Sequence, residues 1–212
     1  MSSYPGQRYL VDAKTKELVD AEISDRITDS DIEEWRGSWK PEIEKVVAEL
    51  KSQGVPSHLW PQSHHWDWSK KVPPSTVIFE KGYTLRCEGR LQGLMRVNSV
   101  SGRCRIPQQH GTDCLYIDFI ETAPWNQVQY TSAPRYTLVG SVLVAAAIHQ
   151  SLDEGFKGRF GLHSLPQSDK WYADRLGMID LGIDQDRYQG RLKYFEATTE
   201  IAASILNGVQ FP

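Results

Sequence analysis

Hydrophobic and polar positions recur along this chain with two different periods, and the change of period marks out its elements. Over residues 9–23, short alternating stretches flank the polar run Ala13-Lys14-Thr15-Lys16, which predicts two extended pieces joined by a turn. Asp29-Ser30 supply helix N-cap chemistry with acidic residues in the first turn, so a short helix is expected there, ended by Gly37. Pro41 fits the first turn of a second helix reaching about Gln53, in which Ile43, Val46, Val47 and Leu50 recur at helical spacing. Gly54 and Pro56 stop it. Residues 57–74 keep neither period and concentrate His58, Trp60, His64, His65, Trp66 and Trp68.

Period two returns over residues 76–100, in Val77-Ile78-Phe79, Thr84-Leu85-Arg86-Cys87, a Glu88-Gly89 turn and an apolar run to Val97. A second turn is expected from Ser101-Gly102 onward. Residues 115–122 read as a strand with an acid on each face, ended by Pro124. Residues 136–152 are apolar nearly all round, which predicts a helix buried against a sheet. Gly155 and Gly158 lead into a strand over 159–165, and Ser168 or Asp169 caps a short helix through Leu176 that Gly177 closes. A last strand covers 192–197, and Thr198 or Thr199 caps a terminal helix. Hairpins come first and a β-α-β-α-β order follows, so the fold class is mixed α/β (α+β) with the later strands partly parallel. The chain reads as one domain over 1–212, an elaboration to about residue 74 and a core over about 75–198, without repeat or linker.

The junction Arg135-Tyr136-Thr137-Leu138-Val139-Gly140-Ser141 carries the most chemistry. A chain arriving from a strand and turning into a helix leaves the first helical N–H groups without partners, and the helix dipole adds positive potential there. That is a seat for phosphate. Gly140 permits close approach to the backbone, and Arg135 offers a charge for a phosphate.

Composition narrows the partners. The formal net charge is -3, which argues against general nucleic-acid or anionic-membrane binding. No run approaches the roughly 18–20 apolar residues of a membrane span, and the polar N-terminus lacks a leader's apolar stretch. Cys87, Cys104 and Cys114 are odd in number and lack Cys-x-x-Cys spacing, which favours ordinary strand or hairpin positions in a reduced, cytoplasmic protein.

This order of elements resembles the GNAT acyltransferase superfamily, over roughly residues 76–198 and more loosely the two helices before. The family's cofactor loop reads Arg/Gln-x-x-Gly-x-Gly/Ala; Arg135 and Gly140 match its ends, while Leu138 stands at the middle glycine. The Ser141-Val-Leu-Val-Ala-Ala-Ala-Ile148 run looks like the family's helix, and Trp171-Tyr172-Ala-Asp-Arg-Leu-Gly177-Met178 like its tyrosine-bearing last core helix. Residues 162–167, Leu-His-Ser-Leu-Pro-Gln, look like a distinct uncharacterised bacterial branch. The stretch between Trp125 and Pro134 is longer than the family norm. The resemblance implies a mostly antiparallel central sheet with one splayed parallel strand pair, flanking helices, and acetyl-CoA or another acyl-CoA as cofactor. It also implies pantetheine and oxyanion contacts from the backbone of Ile120 and Thr122, with pyrophosphate on residues 135–141.

Acyl transfer from a thioester needs a neutral nucleophile, donors for the developing oxyanion and a proton for the leaving thiolate. By the resemblance Tyr172 is the general acid, a phenol being protonated at neutral pH. For the general base, Asp118 lies by period-two alternation on the face of Ile120 and Thr122, while Glu121 points the other way unless a bulge intervenes. His163, ending the next strand, has a suitable pKa. A base is not obligatory, since water chains serve in some enzymes of this kind. Adjacent His64 and His65 on an extended segment point apart and lack a third ligand, which argues against zinc. Trp66 and Trp68 are read instead as an aromatic wall or lid on the acceptor side, together with Glu121.

The expected function is therefore N-acylation of an amine, a small molecule or a peptide, by direct attack in a ternary complex. A homodimer is left open. Two rivals stand beside it: a non-catalytic acyl-CoA-binding regulator, and an acetyltransferase toxin or RNA-modifying enzyme. The latter would need a basic face from Lys70, Lys71, Arg86, Arg90 and Arg103.

Overall fold

The computed structural model describes residues 8–209; residues 1–7, the start of the polar N-terminus, lie outside the described residues, as do 210–212. Strands β1 (Arg8–Asp12) and β2 (Leu18–Ser24) form the first hairpin, about the expected polar turn. The next helix opens on Thr28, one residue before the expected cap. Its hydroxyl accepts from the Asp31 N–H, and the Asp31 carboxylate accepts from the Thr28 N–H at 2.7 Å.

Gly37 does not end this helix. Helix α1 (Asp29–Glu34), a π turn over Trp35–Trp39 and helix α2 (Lys40–Ser52) are continuous, with Gly37 inside the π turn. Trp35, Trp39 and Ile43 all bury into one cluster, and burial of two indoles outweighs the roughly 1 kcal/mol that glycine costs a helix interior.

Val77-Ile78-Phe79 are not strand either. Strand β3 (Glu80–Cys87) starts after them, and Ile78 stands 91% exposed. Strand β4 (Arg90–Arg103) follows the expected Glu88-Gly89 turn, in which both residues take positive φ. It runs through Ser101-Gly102, where a turn was expected, because Gly102 pairs with Cys114 of strand β5 (Asp113–Thr122). A two-residue strand β6 (Tyr136–Thr137) pairs with β1, so helix α3 (Val139–Asp153) begins three residues later than its apolar pattern predicts. Strand β7 (Phe160–Ser164) leads into a 3-10 turn (Pro166–Ser168) and a π turn (Trp171–Arg175), closed by Gly177 at φ 66. Strand β8 (Ile179–Ile183), which the pattern did not reveal, then precedes β9 (Lys193–Ala197) and helix α4 (Thr199–Val209).

The described residues place these nine strands in one sheet ordered β6-β1-β2-β3-β4-β5-β7-β9-β8. Among the described residues the strand pairings are antiparallel except β5 with β7. Cys87 and Cys114 sit on strands and Cys104 just past one; all are buried free thiols. Helix α3 lies in the larger core with Leu85, Met95, Leu115, Ile117 and Phe160, and the α1–α2 run joins Trp68, Leu91 and Leu94 in a second core cluster. Leu143, on α3, is fully buried, and its side chain lies where a Cβ on Gly93 of β4 would stand. Leu143→Ala is expected to cost about 2–5 kcal/mol, read by denaturant unfolding.

Candidate active site

The parallel pair is short. β5 and β7 are in register only from Leu115↔Phe160 to Ile117↔Leu162, and beyond that point they part. Asp118 marks the departure: Arg96 pairs with Phe119 and Val97 with Ile117, so Asp118 is an extra residue in a bulge. The bulge resets the alternation of faces. Ile117 and Ile120 both pack in the α3 core, while Phe119 packs in the opposite cluster. Glu121 shares the Phe119 face, as simple alternation has it, while the bulge turns Asp118 toward Arg96 and off the face of Ile120 and Thr122, where that alternation put it.

A cleft of about 770 Å³ runs from this gap to the start of α3, lined by Ile120, Glu121 and Thr122, by every residue from Tyr136 to Ser141, and by Trp66 and Tyr172. At its far end the N–H groups of Val139, Gly140 and Ser141 open α3 with no side-chain cap, and the first intrahelical bond is Val142 N–H to Leu138 C=O at 2.9 Å. Leu138 precedes them in the left-handed region, at φ 70 and ψ -1. A leucine there carries strain of roughly 1–2 kcal/mol, so the loop takes a glycine-favouring shape without the glycine. Gly140 is required for a second reason: a Cβ would come within 3.1 Å of the Trp171 ring. Gly140→Val is expected to push that indole into the cleft and weaken CoA binding about tenfold, read by calorimetry.

Arg135 is not in this cleft. It forms an ion pair with Glu88, which also accepts from the Tyr136 hydroxyl at 2.6 Å, and it lines a separate cavity with Trp125 and Tyr130. The positive charges facing the cleft are instead Lys170 and Arg175, which the sequence reading passed over. Neither has an ion-pair partner among the described residues. The signal was their spacing about Tyr172, two before and three after, on a helical segment.

Tyr172 sits in the π turn, 6% exposed, with its ring 5.7 Å from Phe195. It lines this cleft and a second cavity of about 460 Å³ on the other side of the gap, so it stands in the partition between the two. Burial, reinforced by the Asp169 charge, pushes its phenol pKa upward, so it stays protonated. Its hydroxyl makes no hydrogen bond to another described residue.

Trp68 is fully buried and forms no wall; its indole N–H donates to Glu121 Oε2 at 2.6 Å. Among the described residues Glu121 Oε1 has no hydrogen-bond partner, and burial raises this carboxyl's pKa to about 7, an effect that Trp68, Ser63 and the Lys71 charge moderate. Asp118 faces the smaller cavity, 3.4 Å from Arg96 Nε, and burial raises it to about 6. Trp66 lines both cavities, edge-on to Phe119 at 5.3 Å.

His163 is not a free base. Its Nδ1 meets the Tyr116 hydroxyl at 2.6 Å and its Nε2 the Asp184 carboxylate at 2.8 Å, with Arg105 holding Asp184 in turn. Burial lowers its pKa, so the ring is neutral and satisfied on both nitrogens. His64 and His65 stand on a turn with their rings 5.5 Å apart, rather than pointing away from each other. One expected backbone grip is already taken: the Thr122 carbonyl accepts from Gln127 Nε2. The basic face required by an RNA substrate is largely neutralised, since Arg86 pairs with Asp31 and Glu34, Arg103 with Asp113, and Lys70 with Asp67.

No protein-family model matches the chain, and no curated protein sequence matches it. Solved structures do. The GNAT domain of S. lividans PAT is similar with a TM-score of 0.53 at 14% identity, covering 93% of this chain and 98% of that one. The fold is that of the GNAT acetyltransferases. FeeM, an N-acyl amino acid synthase from uncultured soil microbes, is similar to the chain with a TM-score of 0.51 at 11% identity over 96% of both chains. An uncharacterised Bacillus halodurans protein reaches 0.51 at 8% identity, over 96% of this chain and 94% of its own. At these identities the likeness is one of fold. In GNAT terms, the gap between β5 and β7 is the splayed parallel pair. Among the described residues no helix is long and apolar enough to cross a membrane.

Proposed function

We propose that the protein is an acyl-CoA-dependent N-acyltransferase, with acetyl-CoA its simplest donor and an amine its acceptor. One observation carries the reading: a single cleft connects uncapped helix amides to a gap between parallel strands. Amides with a helix dipole behind them suit a pyrophosphate, and an unpaired strand edge suits an amide-bearing arm. The residues fit the group. Val139, Gly140 and Ser141 would hold the phosphates with Lys170 and Arg175 adding charge, and the edge of β5 at Ile120 would hold the arm. Bound there, the acyl-CoA supplies a thioester.

The chain's own residues do the rest. Glu121, with the Ser63 hydroxyl beside it, takes the proton that the attacking amine must lose. Backbone N–H groups at Ile120 and Thr122 face the developing oxyanion. Tyr172 gives its phenolic proton to the departing sulfur. Glu121 is preferred over Asp118 as base because it lines the same cleft as Ile120 and Thr122, whereas Asp118 faces the smaller cavity against Arg96. Ionisable groups placed on both sides of the transfer point favour an enzyme over a non-catalytic acyl-CoA sensor.

Thiol release from acetyl-CoA, screened across amine classes, tests this directly. Turnover is expected with at least one class. CoA binding with no turnover for any amine would make the protein a sensor instead.

A further inference from the structure

The smaller cavity holds a cation that has no ion-pair partner among the described residues. Its wall carries Asp67 with Lys70 at 3.6 Å, Asp118 against Arg96 at 3.4 Å, and a neutral His163 bonded to Asp184. Lys71 also faces this cavity, half-buried, with no carboxylate within ion-pair distance among the described residues. Its ammonium lies 3.4 Å from the centre of the Phe119 ring and 4.9 Å from that of Trp66, so two ring faces hold it in place. Burial lowers its pKa, against the opposing charges of Glu121, Asp67 and Asp118, none of them within ion-pair distance. An anion delivered by a ligand would complete it.

Apart from His65 and Ser168, the remaining wall is apolar or aromatic, with Trp66, Phe119, Leu162, Tyr188 and Leu192 in it. This cavity meets the larger cleft at Tyr172 and Ile120, where the thioester would lie. Lys71 and Glu121 also feel each other's charge, which places the unanswered cation a short reach from the proposed base.

Resting on the acyltransferase reading, we propose that the acceptor is a free amino acid with an aromatic or apolar side chain, whose carboxylate is held by Lys71. Its amine turns toward Glu121 and Tyr172, and its side chain lies among the aromatic residues. A lysine side chain within a protein would bring its amine without the nearby carboxylate and leave Lys71 unanswered.

Matched pairs test this: phenylalanine against phenethylamine, and leucine against isoamylamine. Each is titrated calorimetrically into the CoA-loaded protein and assayed for thiol release with acetyl-CoA. The wild type is expected to bind each amino acid about tenfold or more tightly than its decarboxylated partner, the worth of one charged hydrogen bond. That preference is expected to vanish in Lys71→Met and to survive in part in Lys71→Arg, with CoA affinity reporting that both variants are folded. Equal binding of the two partners in the wild type, or a preference that persists in Lys71→Met, would overturn the proposal while CoA affinity stands. Absence of CoA binding in the wild type would instead overturn the acyltransferase reading beneath it.

Discussion

Glu121→Gln is expected to lower kcat/KM by about two to four orders of magnitude while leaving CoA affinity within about twofold, since it removes a base and little else. Glutamine keeps the shape and still accepts from the Trp68 indole. The wild-type rate is expected to rise with pH through a limb near 7, where the Glu121 carboxyl loses its proton, and that limb should be missing from the residual activity of the variant. The same substitution should stabilise the fold. A carboxyl near 7 in the folded state and 4.5 unfolded binds more protons when folded, so stability falls as pH rises from 4.5 to 7. Below that window both states are protonated and the group costs nothing. Above it the full penalty applies, about 3 kcal/mol from 2.5 units of difference. Glutamine removes the penalty, so the variant's melting temperature at pH 8 is expected to exceed wild type by several degrees, with the gap closing toward pH 4. A variant both dead and more stable would show that the buried carboxyl is retained for chemistry.

Tyr172→Phe is expected to lower kcat by about 10²-fold with CoA affinity unchanged, as for loss of a general acid. Its phenol already sits in an apolar site against Phe195, so phenylalanine fits without a cavity. Because burial raises the phenol above its ordinary value of 10, no alkaline limb is expected below pH 10. Thioesters with more acidic thiols need less help in leaving, so an activated acyl thioester should recover much of the lost rate. A sensor would show no such rescue.

Much of this molecule is legible in its sequence, and the failures share a cause. Helix α3 is apolar all round because both its sides are covered, a pattern independent of which partner covers it. The helical segment that carries Tyr172 is legible from its Ser168 or Asp169 start and the glycine that closes it. What the sequence hides is set by partners distant along the chain. Gly37 reads as a stop, yet the indoles of Trp35 and Trp39 carry the helix through it. Val77-Ile78-Phe79 have strand composition, but the contact with β4 reaches no further than the Phe79 carbonyl, which accepts from the Ser99 N–H at 2.8 Å, so among the described residues they stay outside β3. Period two assigns Asp118 to the face of Ile120 and Thr122, and one extra residue in the β4–β5 register turns it toward Arg96 instead. Arg135 has the charge for a phosphate, but Glu88 across the sheet claims it. Trp68 was grouped with Trp66 as an aromatic wall, while its indole N–H in fact serves Glu121 from the core. The cations that do face the cleft, Lys170 and Arg175, were visible only as neighbours of Tyr172.

The account depends on free amides at the start of α3 holding phosphate, and calorimetric titration with CoA and with pantetheine, which lacks the phosphates, tests this most directly. CoA is expected to bind at least about tenfold more tightly than pantetheine, with Gly140→Val removing most of that difference. Equal affinity for the two, or no affinity for CoA, would contradict it.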